Sequence, residues 1–151
     1  MFKHLLVPTD GTDFSLAAVR RAVSFARDAG ARITFLHVEH AFPAVYCGEG
    51  AIMDASAPAL FHEQADGKAH RILDEAAEIA RDAGVECALL ALVSESPNEA
   101  IVEAAEHNAC DLIFMASHGH TGIGHLLLSS ITEKVLAACR TFSSRERMTY
   151  A

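Results

Sequence analysis

The chain has no run of about 20 apolar residues, so a helix spanning a bilayer is excluded. Its four cysteines, Cys47, Cys87, Cys110 and Cys139, contain no CxxC pair. Neither a disulfide framework nor a zinc site is therefore expected, and reduced thiols fit the pattern. Cys87 and Cys110 fall in strand-like runs as small core residues, whereas Cys47 lies in a loop. Basic charge is also scarce. The formal net charge is −8, with both signs interleaved along the helical segments, which excludes a broad electrostatic footprint for nucleic acid. The opening "MFKHLLVPTD" is too short, and too soon interrupted by Pro8 and Asp10, to read as a signal peptide. A cytoplasmic protein with no membrane partner is expected.

What is present is a hydrophobic fraction of 51% against 21% charged residues, with no low-complexity tract. A chain of 151 residues with that balance can bury a full core as one domain. "FKHLLVP" reads as a first strand closed by Pro8 and followed by the turn cluster "TDGTD". From about Asp13 to Ala29, apolar residues recur at helical spacing and Gly30 supplies the stop. Arg32 to Val38 is a second strand, nearly continuous in apolarity, as a strand covered on both faces should be.

After Val38 comes a long proline- and glycine-bearing loop, then a helix from about Ala59 to Ala83, a third strand over Val85 to Val93, and "SPNE". That tetrapeptide places Ser96 as N-cap, Pro97 at the first helical position and Glu99 as the return arm of a capping box. Cys110 to Ser117 is a fourth strand, and a last helix is expected from Ser130 to about Cys139. Strand and helix alternate throughout. The fold class is therefore α/β, a three-layer arrangement with an open, mostly parallel sheet and helices on both faces. Sheets of this kind take ligands beyond the carboxyl ends of the strands, where the strand order reverses.

The segment "ASHGHTGIGHLLLSSITEK", Ala116 to Lys134, lies at that edge. Gly119, Gly122 and Gly124 let another group approach the main chain closely. Ser130 and Glu133 form a second capping box, and the helix they open presents unpaired N–H groups. With the hydroxyls of Ser129, Ser130 and Thr132 nearby, the pattern suits a di- or triphosphate. A plain loop-to-helix turn uses the same residues. The connection of thirteen residues, against the usual about two to six, favours the functional reading. No GxxxxGK[ST] and no GxGxxG after the first strand is present, so the commoner phosphate loops are excluded. His118, His120 and His125 are spaced closely, but no fourth ligand accompanies them, and no metal site is assigned. No serine, histidine and acid are spaced as a hydrolase triad, no catalytic residue is assigned, and His37 reads as a hydrogen-bonded core histidine.

These residues resemble the universal stress proteins, whose nucleotide motif is glycine, two residues, glycine, nine residues, then glycine and serine or threonine. Here the frame runs Ala116, Ser117, His118, Gly119, nine residues, Ser129 and Ser130. Alanine and serine thus replace the first and third glycines. Such a change is tolerable at negative φ and crowds the phosphates at positive φ.

The resemblance implies a five-stranded sheet in the order 3-2-1-4-5 and a site for ATP, or for ADP or AMP in its place, with or without magnesium. By the same resemblance Pro8, Thr9 and Asp10 approach the adenine and ribose, and Val38 and Met115 contact the base. Ala116, His118, Gly119, Ser129, Ser130, Ile131 and Thr132 line the phosphate side. It further implies a regulatory binding module in the cytoplasm, at most a slow ATPase, that forms a homodimer and acts through a further protein partner. Two alternatives stand beside it: a relative that binds no nucleotide and works through protein contacts, and a metal-dependent hydrolase using the histidine loop. The tail "TFSSRERMTYA" departs from the family's apolar fifth strand, because Arg145, Glu146 and Arg147 cannot be buried on both faces without a large desolvation cost. The domain is accordingly placed at 1–140, with 141–151 as an atypical tail.

Overall fold

The computed structural model describes residues 2–41, 57–116 and 149–150, with side chains of the second helix from 66 onward. Strand β1 (His4–Pro8) is followed by helix α1 (Asp13–Ala29), β2 (Arg32–His40), α2 (Ala57–Asp82), β3 (Cys87–Ser94), α3 (Pro97–His107) and β4 (Leu112–Ile113). The strands pair in parallel in the order β3-β2-β1-β4, and Thr149–Tyr150 lies beside β4 as a two-residue fifth strand. The long ladders are His4–Pro8 against Arg32–Leu36 and Ile33–His40 against Cys87–Ser94. The last helix expected from Ser130 lies outside the described residues.

Side-chain alternation divides the core in two. On one face Leu5, Val7, Ile33 and Phe35 pack against Val19, Ala22, Val23 and Ala26 of α1 and Leu73, Ala76 and Ala80 of α2. On the other, Leu6, Leu36 and Ile113 meet Ile101, Val102, Ala104 and Ala105 of α3. Consecutive strand residues such as Phe35 and Leu36 are both fully buried for this reason. Small residues at Ala22, Ala26, Ala76 and Ala80 let the helices sit close to the branched side chains of the sheet.

Helix α1 ends as its glycine requires. Gly30 adopts φ 64°, ψ 33°, its N–H turns to the Arg27 carbonyl, and the Ala31 N–H closes on Ala26 at 2.8 Å. The start of α3 differs from expectation. Ser96 stands at the N-cap and Pro97 follows, but the Ser96 hydroxyl donates to Asn98 Oδ1 at 3.2 Å and caps no main-chain N–H. The neighbouring Asn98 carboxamide offers a competing acceptor, so the capping box is not formed. Strand β2 extends two residues beyond Val38, because β3 continues to pair with it as far as Ser94.

At the opposite edge from the expected site, Asp111 bridges β1 and β4. Its carboxylate accepts the N–H of Lys3 at 2.8 Å and of His4 at 3.1 Å, while its own N–H donates to the His4 carbonyl. His4 is buried, with Nε2 2.8 Å from the Thr34 hydroxyl. Burial, and secondarily the Arg32 charge, hold its pKa below the ordinary histidine value against the opposing pull of Asp111 and Glu86. A depressed histidine favours the neutral ring in the fold, so its contribution to stability is present above about pH 6.5 and is lost as pH falls below it. Urea melts at pH 7.5 and 5.5 should therefore show wild type losing more stability on acidification than His4→Asn. Equal losses would place the acid sensitivity elsewhere.

Candidate functional site

Pro8 ends β1, and the Thr9 N–H keeps the chain on β2 for one more residue by donating to the Leu36 carbonyl at 2.8 Å. The chain then turns at Asp10 and Gly11 into α1. Gly11 has φ 78°, and a Cβ there would lie 2.8 Å from Ile72 Cγ1, so the turn is pressed against α2. Thr12 is the N-cap: its Oγ1 accepts the Ser15 N–H at 3.2 Å and its carbonyl accepts that of Leu16 at 2.8 Å. Asp10 Oδ1 closes the turn by accepting the Thr12 N–H at 3.0 Å and the Thr12 hydroxyl at 2.6 Å. Ser15 completes the loop, its hydroxyl donating to Thr9 Oγ1 at 2.8 Å and accepting the Asp10 N–H at 3.1 Å. Thr9 is buried while Asp10 is exposed. The result is a braced loop that presents a carboxylate at the carboxyl end of the strand beside which the chain order reverses, between β1 and β4.

Val38 and Met115 lie on the α3 face, half-buried, and each packs, as Leu90 and Leu92 do, against the core cluster of Leu6 and Leu36. They form an apolar wall at the same edge as the Asp10 loop, on the carboxyl-terminal parts of β2 and just beyond β4. Ala116 follows, half-buried. Ala109 is the one non-glycine residue with positive φ among the described residues. Ala116 is thus outside the left-handed region, and its methyl group carries none of the strain that a positive φ would impose. His118, Gly119, Ser129, Ser130, Ile131 and Thr132 lie outside the described residues, as do His120 and His125.

His37 is 4% exposed on the α2 face of β2. Its Nδ1 lies 2.9 Å from the Thr9 carbonyl and its Nε2 3.1 Å from Glu39 Oε2, an oxygen that Lys68 of α2 approaches to 3.9 Å. The reading of His37 as a hydrogen-bonded core histidine agrees with this geometry. Its partners, and the bracing by Ser15, could not be read from the sequence. Ser15 carries only the weak signal of standing three residues after a threonine cap. Among the described residues no group of three or more histidine, cysteine, aspartate or glutamate side chains is placed to hold a metal. The described cysteines are unsuited to nucleophilic chemistry. Burial and the Asp111 charge push the Cys110 thiol up to about 11, and burial raises Cys87 as well.

The family model described as "Universal stress protein family" matches residues 1–141. A universal stress protein of Methanocaldococcus jannaschii, MJ0531, is 32% identical over 136 residues, covering 90% of this chain and 76% of its own. Among solved structures, a universal stress protein family member from Burkholderia pseudomallei superposes with TM-score 0.74 at 23% identity, covering 99% of this chain and 96% of that one. A universal stress protein solved in complex with cAMP superposes with TM-score 0.60 at 25% identity, covering 99% and 96%. With the parallel order 3-2-1-4 and helices on both faces already established, these matches have one reading: the chain belongs to the universal stress protein family.

Proposed function

We propose that this protein binds an adenine nucleotide at the carboxyl edge of its sheet and acts as a regulatory binding module in the cytoplasm, with no dedicated catalysis. In this reading Pro8, Thr9 and Asp10 face the adenine and ribose. Val38 and Met115 bound the base, and the segment from Ala116 through Thr132 receives the phosphates on the main-chain amides of Gly119 and of the helix expected from Ser130. The observation that carries the reading is the convergence of the braced Asp10 loop and the Val38–Met115 wall at the point where strand order reverses. The related structure that holds cAMP supports it further. Ala116 lies outside the left-handed region, so alanine carries no backbone strain at that position of the altered motif.

Calorimetric titration with ATP, ADP, AMP and cAMP, with and without magnesium, tests the reading and ranks the phosphate number. Ser130→Glu would set a carboxylate against the phosphates and is expected to abolish binding of ATP while leaving the melting temperature within a few degrees. Absence of heat with all four nucleotides would end the proposal and favour a family member that acts through protein contacts alone. Survival of ATP affinity in Ser130→Glu would mean that the phosphates do not sit at the start of that helix.

A further inference from the structure

We propose that His37 is the positioning residue of the candidate site: it holds the peptide plane between Thr9 and Asp10, and so sets where the Asp10 turn begins. That plane is gripped at both ends. Its carbonyl, from Thr9, faces His37 Nδ1 at 2.9 Å, and its N–H, from Asp10, donates to the Ser15 hydroxyl at 3.1 Å. A carbonyl only accepts, so Nδ1 carries hydrogen. Nε2 faces a Glu39 carboxylate oxygen at 3.1 Å. Glu39 therefore orients the ring, and Lys68, 3.9 Å from the same oxygen, links the pair to α2. One chain of contacts thus runs from α2 through Glu39 and His37 to the main chain of the β1–α1 loop.

Packing alone gives no reason for a histidine here. The preceding residues on this face of β2 are Ile33 and Phe35, both in the core cluster, and an imidazole at the next position costs desolvation that only its hydrogen bonds offset. The Nδ1 contact reaches outward to the loop, and the Nε2 contact runs to Glu39 further along β2, neither into the core. That His37 adjusts nucleotide affinity follows only if the nucleotide reading above holds; that it fixes the Thr9–Asp10 peptide does not depend on it.

Two substitutions separate donor from bulk. The amide nitrogen of asparagine can occupy the place of Nδ1, whereas that of glutamine reaches the place of Nε2. His37→Asn keeps a donor for Thr9, and His37→Gln loses it. Amide hydrogen exchange of the unliganded full chain is read at Asp10, Gly11 and Thr12, together with thermal melting and titration with cAMP and ATP. His37→Gln is expected to speed exchange at these amides about tenfold, the loss of one buried hydrogen bond, and to weaken the nucleotides by a similar factor. His37→Asn should stay within about threefold of wild type in both.

Wild-type exchange in His37→Gln overturns the proposal, and so does equal damage in the two variants, which would make the ring a packing element. The expected exchange pattern in a wild-type protein that takes neither nucleotide supports the positioning role and ends the nucleotide reading instead. Should His37→Gln fail to fold, Glu39→Ala leaves the ring without its orienting partner. Faster exchange at Asp10 is then the supporting result, and unchanged exchange overturns the proposal.

Discussion

Phe35→Ala is expected to cost about 3–5 kcal/mol of folding free energy, and Leu36→Ala about 2–5 kcal/mol. The two residues are neighbours in β2, both at 0% exposure, yet they belong to different cores. Phe35 fills the space between the sheet and helices α1 and α2, and Leu36 fills that between the sheet and α3. In a sheet with one wet face, one of two consecutive side chains would be exposed and its truncation nearly silent. Here both truncations leave a cavity, since the surrounding layers relax only in part. With a total stability of about 5–15 kcal/mol expected for a domain, either change should lower the melting temperature by about 4–20 °C. Calorimetric melts of the two single variants check this. A melting point within two degrees of wild type for either would contradict the burial of that face.

The second large effect is expected at Gly11, where conformation and space act together. Gly11→Ala places a side chain at φ 78° and sets its Cβ 2.8 Å from Ile72 Cγ1 and 3.2 Å from Cδ1. The left-handed conformation alone costs about 1–2 kcal/mol, and overpacking against α2 adds about 1–3 kcal/mol. Gly30 provides the control. It has φ 64° but nothing within 4 Å of its Cβ, so Gly30→Ala is expected to cost only the conformational part, about 1–2 kcal/mol. Denaturant unfolding of both variants should rank Gly11→Ala as clearly worse. Equal costs would mean that Ile72 moves aside freely and that α2 does not bear on the loop.

Much of this fold was legible in the chain. The 3.6-residue recurrence of apolar positions and the following Gly30 place α1 over Asp13–Ala29, the bounds the structure shows. The near-continuous apolarity of Arg32 to Val38 correctly signals a strand covered on both faces. Element ends were less legible where a neighbour decides them. Strand β2 reaches His40 because β3 pairs with it that far. Ser96 fails to cap α3 although the tetrapeptide is right, since a hydroxyl with two available partners chooses by local geometry. For the candidate site, the turn residues, Val38 and Met115 were named through the family resemblance as an expectation. The bracing of the loop was not.

Local chemistry explains the division. Periodicity, caps and turn residues act over a few positions, so the sequence by itself determined the alternation of strands and helices, the double burial of the central strands and the glycine stop of α1. Contacts between residues far apart depend on which strands become neighbours, and no spacing encodes them. His37 and Thr9 are 28 positions apart, and His4 and Asp111 are 107 apart. Only the tertiary structure decided that the Asp10 turn would be seated on Ile72, gripped by His37 and Ser15, and aligned with the apolar wall of Val38 and Met115. Parallel pairing brings those groups to one edge because every crossover returns the chain to the same end of the sheet.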